Sequence, residues 1–327
     1  MRNSSFIVLL IPKVMVRPIL KFKLMVAFLS IFYFATAQPG DKSYLKQLSP
    51  TSKNHKINFI PNSKFGPVVT LSNLPEALKN PSYYKSARFT NLNLNEFPDQ
   101  IFVFLNLEEI DVSVNNLRII PNKLNELKNL KELHLNNNRL SSLGAEITSC
   151  EKLEVLQIQE NPLVSISKEL GNMHTMREIT IGEIDRNCSV PLELWSLKNL
   201  KKIKITNAFL TEIPAAIADL KFLDELCVAH NLITEIPEGL YSLKSITYIN
   251  LGYNKIKSIS PSIKALENLD YLGIYYNPIT LLPEEIGNLK NLSFLSCWQS
   301  KLPQSEIVKA RLKLPDAQVQ DTETDIH

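Results

Sequence analysis

The sequence predicts an α/β solenoid, a horseshoe in which a parallel β-sheet lines the concave face and short helical or 3₁₀ turns form the convex face. One apolar pattern recurs every 23 residues from residue 71 onward, apart from a single interval of 24. Within each unit the apolar residues first alternate and then fall three apart, which indicates a short strand followed by a turn of helix. Ten units open at regular positions, which are Tyr84, Leu107, Leu130, Leu153, Met176, Leu200, Leu223, Ile246, Leu269 and Leu292.

The unit that opens at Leu130 shows how the residues divide. Leu133 and Leu135 alternate with polar residues, so both point to one face of a short strand. An Ile-Pro pair follows in several units and ends the strand, because proline has no amide hydrogen to continue the ladder. Apolar residues three apart, such as Ile217 and Leu220, then suit a turn of α- or 3₁₀ helix. Because no unit can bury its leucines alone, neighbouring units must stack around one continuous core.

The repeated frame, Leu-x-x-Leu-x-Leu-x-x-Asn-x-Leu, resembles the consensus of the leucine-rich-repeat family. Second halves such as "EIPAAIADLKFL" and "LLPEEIGNLKNL" look like the 23-residue class of bacterial exported proteins. The resemblance covers residues 71–302, about ten units. It implies a non-catalytic scaffold that binds a macromolecular partner on its concave face, but it names no partner.

An asparagine recurs where the chain leaves each regular strand. An inward-pointing amide at this place can satisfy backbone groups of adjacent turns that would otherwise be buried without a hydrogen-bond partner. We therefore interpret this ladder as structural. Its members are Asn115, Asn138, Asn161, Asn231, Asn254 and Asn277.

One unit departs from the frame. Ile184 and Ala208 stand where asparagine is expected, and the unit contains one extra residue. We expect a local bulge with a small change in the superhelix. The alternative is a bend or loop that shapes a site.

The regions at the two ends lack the full repeat. Residues 38–70 are polar and contain four prolines, which indicates a linker and the start of an N-terminal cap. Residues 303–327 are predicted to form a C-terminal cap and tail. Ile307, Ala310 and Leu314 have the spacing of a short helix that covers the last unit.

Residues 1–37 have the layout of a secretory signal peptide. Basic residues precede the apolar run "LMVAFLSIFYFATA", and Ala35-Thr36-Ala37 resembles a cleavage site before Gln38. Met15 is an alternative start. The apolar run is short for a membrane span of about 20 residues, so we expect export with no stable span after processing. If the leader is not a signal peptide, an intracellular signalling scaffold is the alternative.

Charge and cysteine usage exclude several classes of function. Without the leader the chain carries 31 basic and 33 acidic residues and shows no basic stripe, so a nucleic-acid partner is not expected. The four cysteines have neither zinc-site nor disulfide-framework spacing. Cys227 and His230 are the nearest approach to a nucleophile and a base, but no third residue is placed to orient the histidine. We therefore expect no enzyme activity, cofactor or metal.

Side chains that point outward from the strands are not needed for the core, so they carry the functional signal. An acidic patch toward the N-terminal half comprises Glu109, Asp111, Glu132, Glu160 and Glu178. The last three strands instead contribute a contiguous set, which we call the aromatic cluster. It comprises Tyr248, Asn250, Tyr253, Tyr271, Tyr275, Tyr276, Phe294 and Trp298.

Two interpretations of the aromatic cluster remain open at this stage. Cross-strand aromatic packing can simply stabilise a sheet. An exposed aromatic set is also typical of binding hot spots, with a protein as the expected partner and a cell-surface glycan as the second class. Gly273, between two tyrosines, is expected to leave a notch in the aromatic wall.

Overall fold

The computed structural model describes residues 63–322. The predicted signal peptide and most of the predicted linker lie outside the described residues. Within residues 63–322, no helix is both long enough and apolar enough to cross a lipid bilayer.

A parallel sheet of twelve strands forms one side of the structure. Its strands, in spatial and chain order, are β1 (Val68–Val69), β2 (Ser86–Arg88), β3 (Glu109–Asp111), β4 (Glu132–His134), β6 (Val155–Ile158), β8 (Glu178–Gly182), β9 (Lys202–Thr206), β10 (Glu225–Cys227), β11 (Tyr248–Asn250), β12 (Tyr271–Gly273), β13 (Phe294–Ser296) and β14 (Gln318–Gln320). A separate pair is formed by β5 (Ser142–Leu143) and β7 (Ser165–Ile166).

Short helices form the other side. Within residues 63–322 two are α-helices, α1 (Leu74–Ala77) and α2 (Gln304–Lys313). The 3₁₀ helices of the described chain are Pro81–Tyr83, Asp99–Val103, Asn122–Glu126, Ala145–Ser149, Lys168–Asn172, Leu192–Ser196, Ala215–Asp219, Glu238–Ser242, Pro261–Ala265 and Glu284–Asn288. Six of them follow a proline in extended conformation, because its fixed φ both ends the strand segment and pre-sets the first helical turn.

The strands pair without stagger, so equivalent residues of successive units form straight rows across the sheet. Tyr248, for example, is the register partner of Glu225 on one side and of Tyr271 on the other. Inward leucines and isoleucines of every unit join one continuous core. Outward residues of successive units therefore lie about 4.8 Å apart in a row.

The six ladder asparagines are all buried at the strand ends. Asn138 is representative: its Nδ2 donates to the carbonyls of Val112 and Leu135 at 3.0 Å, and its Oδ1 accepts from the Leu117 amide at 3.0 Å. Each amide thus joins its own turn to the preceding unit.

The two successive units without a ladder asparagine, which contain Ile184 and Ala208 at that position, have longer paired strands instead. β8 and β9 are five residues long, and their pairing continues to Gly182 and Thr206. Ile184 and Ala208 are buried, so the asparagine positions are filled by apolar packing. The extra residue falls in the segment after Ile184, where the Cys188 amide donates to the Asp185 carbonyl at 2.9 Å in a turn whose Arg186 and Asn187 are exposed.

A second polar row occurs at the turn that precedes four of the opening residues, and the repeat frame did not predict it. Asn106, Asn199, Asn268 and Asn291 each donate from Nδ2 to a carbonyl of the preceding unit, at 2.7–3.0 Å. The sequence signal is the recurring Asn-Leu pair at the opening position. These side chains are exposed, unlike the ladder asparagines.

The C-terminal end closes the core. Ile307, Ala310 and Leu314 of the α2 region are buried. After this helix the chain forms β14, which pairs with β13. The repeat pattern did not predict β14.

Candidate functional site

The first row of the aromatic cluster is a stack along the start of three strands. Tyr248 and Tyr271 have ring centroids 4.4 Å apart with an interplanar angle of 11°. Tyr271 and Phe294 follow at 5.6 Å and 6°. The register of β11, β12 and β13 produces this stack directly, because the three residues are aligned across the sheet.

A second stack lies where the chain leaves the strands. His230, Tyr253 and Tyr276 stack at centroid distances of 4.0 Å with interplanar angles of 16°. All three have positive φ, between 50° and 57°, as does the residue before the ladder position in the other units. His230 was not among the predicted members of the cluster. Its signal is its position one residue before Asn231, which is equivalent to Tyr253 and Tyr276.

Tyr275 and Trp298 extend the second stack. Their rings are 5.4 Å apart at 8°. Trp298 is also edge-on to Tyr276 at 4.8 Å, and Tyr275 is edge-on to Tyr253 at 5.7 Å. The seven predicted rings therefore form two groups on the last strands, one of Tyr248, Tyr271 and Phe294 and one of Tyr253, Tyr275, Tyr276 and Trp298.

Asn250 organises the hydroxyl groups beneath this surface. Its Nδ2 donates to the Tyr275 hydroxyl at 3.2 Å and to the Tyr248 hydroxyl at 3.4 Å, and its Oδ1 accepts from the Gly252 amide at 3.0 Å. Burial raises the pKa of Tyr248, Tyr271 and Tyr275. These phenols are therefore neutral hydroxyl groups at physiological pH.

Two glycines make room for the rings. A Cβ at Gly252 would lie 2.2 Å from Cζ of Tyr275, so that ring rests directly on the glycine. A Cβ at Gly273 would lie 3.0 Å from the Tyr271 hydroxyl and from Asn250 Oδ1. The expectation of a notch at Gly273 is wrong, because these groups already occupy the space.

The predicted acidic patch is divided by internal pairing. Glu109 and Asp111 lie 3.7 and 3.9 Å from the Arg88 guanidinium. Glu132 pairs with Lys64, and Glu178 accepts a hydrogen bond from Gln157 at 2.9 Å. Glu109 and Glu132 are buried.

Glu160 differs from the other residues of the acidic patch in that a second carboxylate, Glu183, lies near it. Burial and the neighbouring Glu183 carboxylate raise its pKa, although Lys204 and the Asn137 amide partly offset them. Its carboxylate accepts from Asn137 Nδ2 at 2.9 Å. The five residues thus do not form one uniform negative surface.

Lys64 holds the first described turn over the strands of the acidic patch. Its ammonium group reaches Glu132, and the Ser63 and Ser86 hydroxyls are hydrogen-bonded. The Lys131 ammonium lies 5.6 Å from the centroid of the Phe65 ring. A contact across 68 positions of sequence fixes this turn.

His134 is a titratable residue that lies beside Glu132 of the acidic patch. Burial disfavours its charge, but the Glu132 carboxylate 3.7 Å from its Nε2, the hydrogen bond with Gln157 and the Asp111 charge outweigh burial and raise its pKa. Burial likewise opposes the charge of Glu132, and the neighbouring His134 and the hydrogen bond with Lys64 nevertheless lower its pKa. The charged pair is therefore the form that the folded state favours.

We expect this pair to make stability depend on pH. Because the pKa of His134 is raised in the folded state, its contribution is complete below its unfolded pKa of about 6.5 and is lost as pH rises through the folded value. His134→Gln should flatten the dependence measured by urea unfolding between about pH 5.5 and 8. His174→Gln, an exposed histidine outside the patch, is the matched control. An unchanged slope in His134→Gln would contradict the assignment.

The cysteines show no catalytic arrangement within residues 63–322. Cys150, Cys188 and Cys297 are buried and unpaired. Burial raises the pKa of Cys227, and His230 stacks on Tyr253 instead of bonding to that thiol. No group of three or more His, Cys, Asp or Glu side chains in this part of the chain could hold a metal ion.

A strand and a short helix in each unit, joined in six units by an asparagine turn, define a repeat scaffold with an outward sheet face. Sequence models of the Leucine rich repeat family match residues 223–279 and residues 129–150. No curated protein sequence is significantly similar. Together with the fold, these matches identify the chain as a leucine-rich-repeat protein.

Solved structures agree with this fold. The leucine-rich-repeat ectodomain of the Arabidopsis thaliana receptor kinase GASSHO1/SCHENGEN3 matches with a TM-score of 0.59 and 25% identity, over 68% of this chain and 28% of that one. The Arabidopsis receptor kinase HAESA matches with a TM-score of 0.61 and 25% identity, over 74% and 42%. An internalin (InlF) from Listeria monocytogenes matches with a TM-score of 0.56 and 18% identity, over 78% and 90%. The chain thus spans less than half of either plant structure.

Proposed function

We propose that this protein is an exported, non-catalytic scaffold that binds a partner protein through the aromatic cluster on its sheet face. The observation that carries the proposal is the packing of seven rings into two groups, linked by the Asn250 amide, on a face that the core does not need. Preformed aromatic surfaces bind without losing much conformational freedom, so they are favourable anchors. The divided acidic patch supplies charge for orienting the partner, chiefly through Glu160 and Glu178.

Two of the matched structures support a protein partner. The GASSHO1/SCHENGEN3 ectodomain was solved in complex with CASPARIAN STRIP INTEGRITY FACTOR 2. HAESA was solved with the peptide hormone IDA and the co-receptor SERK1. Leucine-rich-repeat domains of this kind use their scaffold for protein recognition, and we extend that use to this chain.

Ring orientation favours a protein over a glycan. Tyr271 is stacked between Tyr248 and Phe294, and Tyr253 is stacked between His230 and Tyr276. Sugar rings pack on the faces of aromatic side chains, and both faces of Tyr271 and of Tyr253 are covered by neighbouring rings. A protein partner can instead use ring edges and polar groups.

Export is supported by the three-part leader and by the ectodomain origin of the GASSHO1/SCHENGEN3 match. The mature chain is then the 290 residues from Gln38 to His327. An extracellular partner would meet the sheet face directly.

Capture by the mature protein tests the proposal. Protein recovered outside the cytoplasm should begin at Gln38 and, once immobilised, should retain a partner from extracellular extract. Protease treatment of the extract should abolish capture, whereas enzymatic deglycosylation should leave it unchanged. The opposite pattern would establish the glycan alternative, and an intact Met1 in a cytosolic fraction would contradict export.

A further inference from the structure

The second stack belongs to a row of side chains that continues past His230 toward the N-terminal half of the sheet. Residues of this row come just before the ladder position of their units, and all have positive φ, between 48° and 57°. From β6 to β12 they are Glu160, Glu183, Asn207, His230, Tyr253 and Tyr276. The aromatic end of the row therefore leads directly to two carboxylates.

His230 ends the stack with one ring face uncovered. Its other face lies on Tyr253, with ring centroids 4.0 Å apart, and within residues 63–322 no ring covers the opposite face. Because the rings stack from strand to strand, the uncovered face is turned toward Asn207 and, beyond it, Glu183. His230 is exposed, so a ligand can reach this face.

The space between His230 and Glu183 has the dimensions of a site for one cation. Two strand spacings, about 10 Å, separate the two positions. Asn207, which lies between them, donates from Nδ2 to Glu183 Oε1 at 3.0 Å, so its side chain is turned to the carboxylate and away from the imidazole. A cation about 6 Å from the ring centroid and about 4 Å from the carboxylate spans this distance.

The charge at this end of the row is negative. Glu160 and Glu183 form no ion pair within residues 63–322. Burial and the Glu183 charge raise the pKa of Glu160, and Lys204 opposes them without forming an ion pair, so Lys204 offsets at most one of the two carboxylates. Burial lowers the pKa of His230, although Glu183 opposes this, so the imidazole is neutral at physiological pH and its face can accept a cation.

We propose that the space between His230 and Glu183 binds an arginine or lysine side chain of the partner protein, while an apolar side chain of the same segment contacts the aromatic cluster near Trp298. This inference rests on the proposed function and specifies the partner's chemistry. The cation lies over the uncovered face of His230 and pairs with Glu183, and Glu160 adds attraction at longer range. A carboxylate in the same space would be repelled by both glutamates.

Selection from a random peptide library displayed on phage tests this chemistry directly, because the library samples all side-chain combinations. Inserts of about twelve residues can span the row, since β8 and β13 are five strand spacings, about 24 Å, apart. The bait is the mature full chain, and selected clones are screened on Glu183→Gln and on Trp298→Ala, both checked for folding by far-UV circular dichroism. Clones that need Trp298 should also need Glu183, and they should be enriched in Arg and Lys.

A synthetic copy of a selected peptide then gives the quantitative result. Glu183→Gln should weaken its binding about fivefold, the effect of losing one exposed ion pair, because glutamine can still accept from Asn207. His230→Leu should weaken binding about threefold, because leucine keeps an apolar contact with Tyr253 but offers no ring face to the cation. Glu267→Gln, an exposed glutamate on the turn side, is the charge-matched control and should leave binding unchanged.

The outcomes separate the two proposals. Trp298-dependent peptides without Arg or Lys, binding insensitive to Glu183→Gln, or weaker binding to Lys204→Gln would overturn the basic-residue inference and leave the binding scaffold standing. Failure to select any Trp298-dependent peptide would overturn both proposals, because the aromatic cluster would then not be a peptide-binding surface.

Discussion

Replacing Asn254 with alanine is expected to lower the free energy of unfolding by about 3 kcal/mol, because each buried group left without a partner costs about 1–3 kcal/mol. Asn254 Nδ2 donates to the carbonyls of Val228 and Leu251 at 2.9 and 3.0 Å, and its Oδ1 accepts from the Ile233 amide at 3.0 Å. Alanine would leave these backbone groups without a partner in a space too small to admit water to all of them. The change should appear as a lower urea midpoint.

Asn268→Ala is the matched control for this prediction. Asn268 makes one bond, to the Lys244 carbonyl at 2.8 Å, and that bond is exposed. Water can replace the lost donor, so the expected loss is below about 1 kcal/mol. Equal losses in the two variants would show that burial of the ladder amide is not what makes it important.

The repeat frame predicted the register of the sheet well because the 23-residue interval alone determines which residues are paired. An interval of 23 residues places Tyr248, Tyr271 and Phe294 at equivalent positions, and the structure pairs them without stagger. The same interval assigned Asn254 and Asn277 to the strand ends, where their amides are buried. Any property that depends only on register could therefore be derived from spacing.

Properties that depend on side-chain direction or on distant sequence could not be derived in this way. The notch expected at Gly273 is filled because the Tyr271 ring leans over it, and spacing contains no information about side-chain torsions. The charge of Glu132 is balanced by Lys64, which lies before the first repeat. β14 was missed because residues after Leu302 lose the period, although the sheet edge still binds one more strand.

In the candidate site, some properties follow from the register and others depend on side-chain direction. The register determined which residues share the outward face, so the aromatic cluster could be listed from the sequence. His230 was left out because histidine does not match the tyrosines at its equivalent positions, although its ring stacks on Tyr253. The stacking that covers the ring faces was likewise visible only in the structure.

Replacing Tyr271, Tyr275 and Trp298 with alanine is expected to abolish partner capture while leaving the far-UV spectrum of the sheet intact. Their side chains are half-buried and lie outside the leucine core, so the fold keeps its main source of stability. Aromatic anchors of this kind contribute about 2 kcal/mol or more each to binding, and losing three of them should weaken binding by at least a thousandfold. Undiminished capture by the triple variant would make the cluster purely structural.

Gly252→Ala examines the same surface without removing an aromatic residue. The new Cβ would overlap the Tyr275 ring, whose far end can swing away from its stack with Trp298. Losing one stacked pair should reduce the free energy of unfolding by only about 1 kcal/mol, but it should reduce binding more than tenfold because the preformed surface is disturbed. Gly287→Ala, where a Cβ would lie 3.2 Å from the nearest atom on the turn side, is the control for the glycine substitution itself. Binding that tolerates Gly252→Ala but not the triple substitution would show that the partner needs the rings without needing their stacked arrangement.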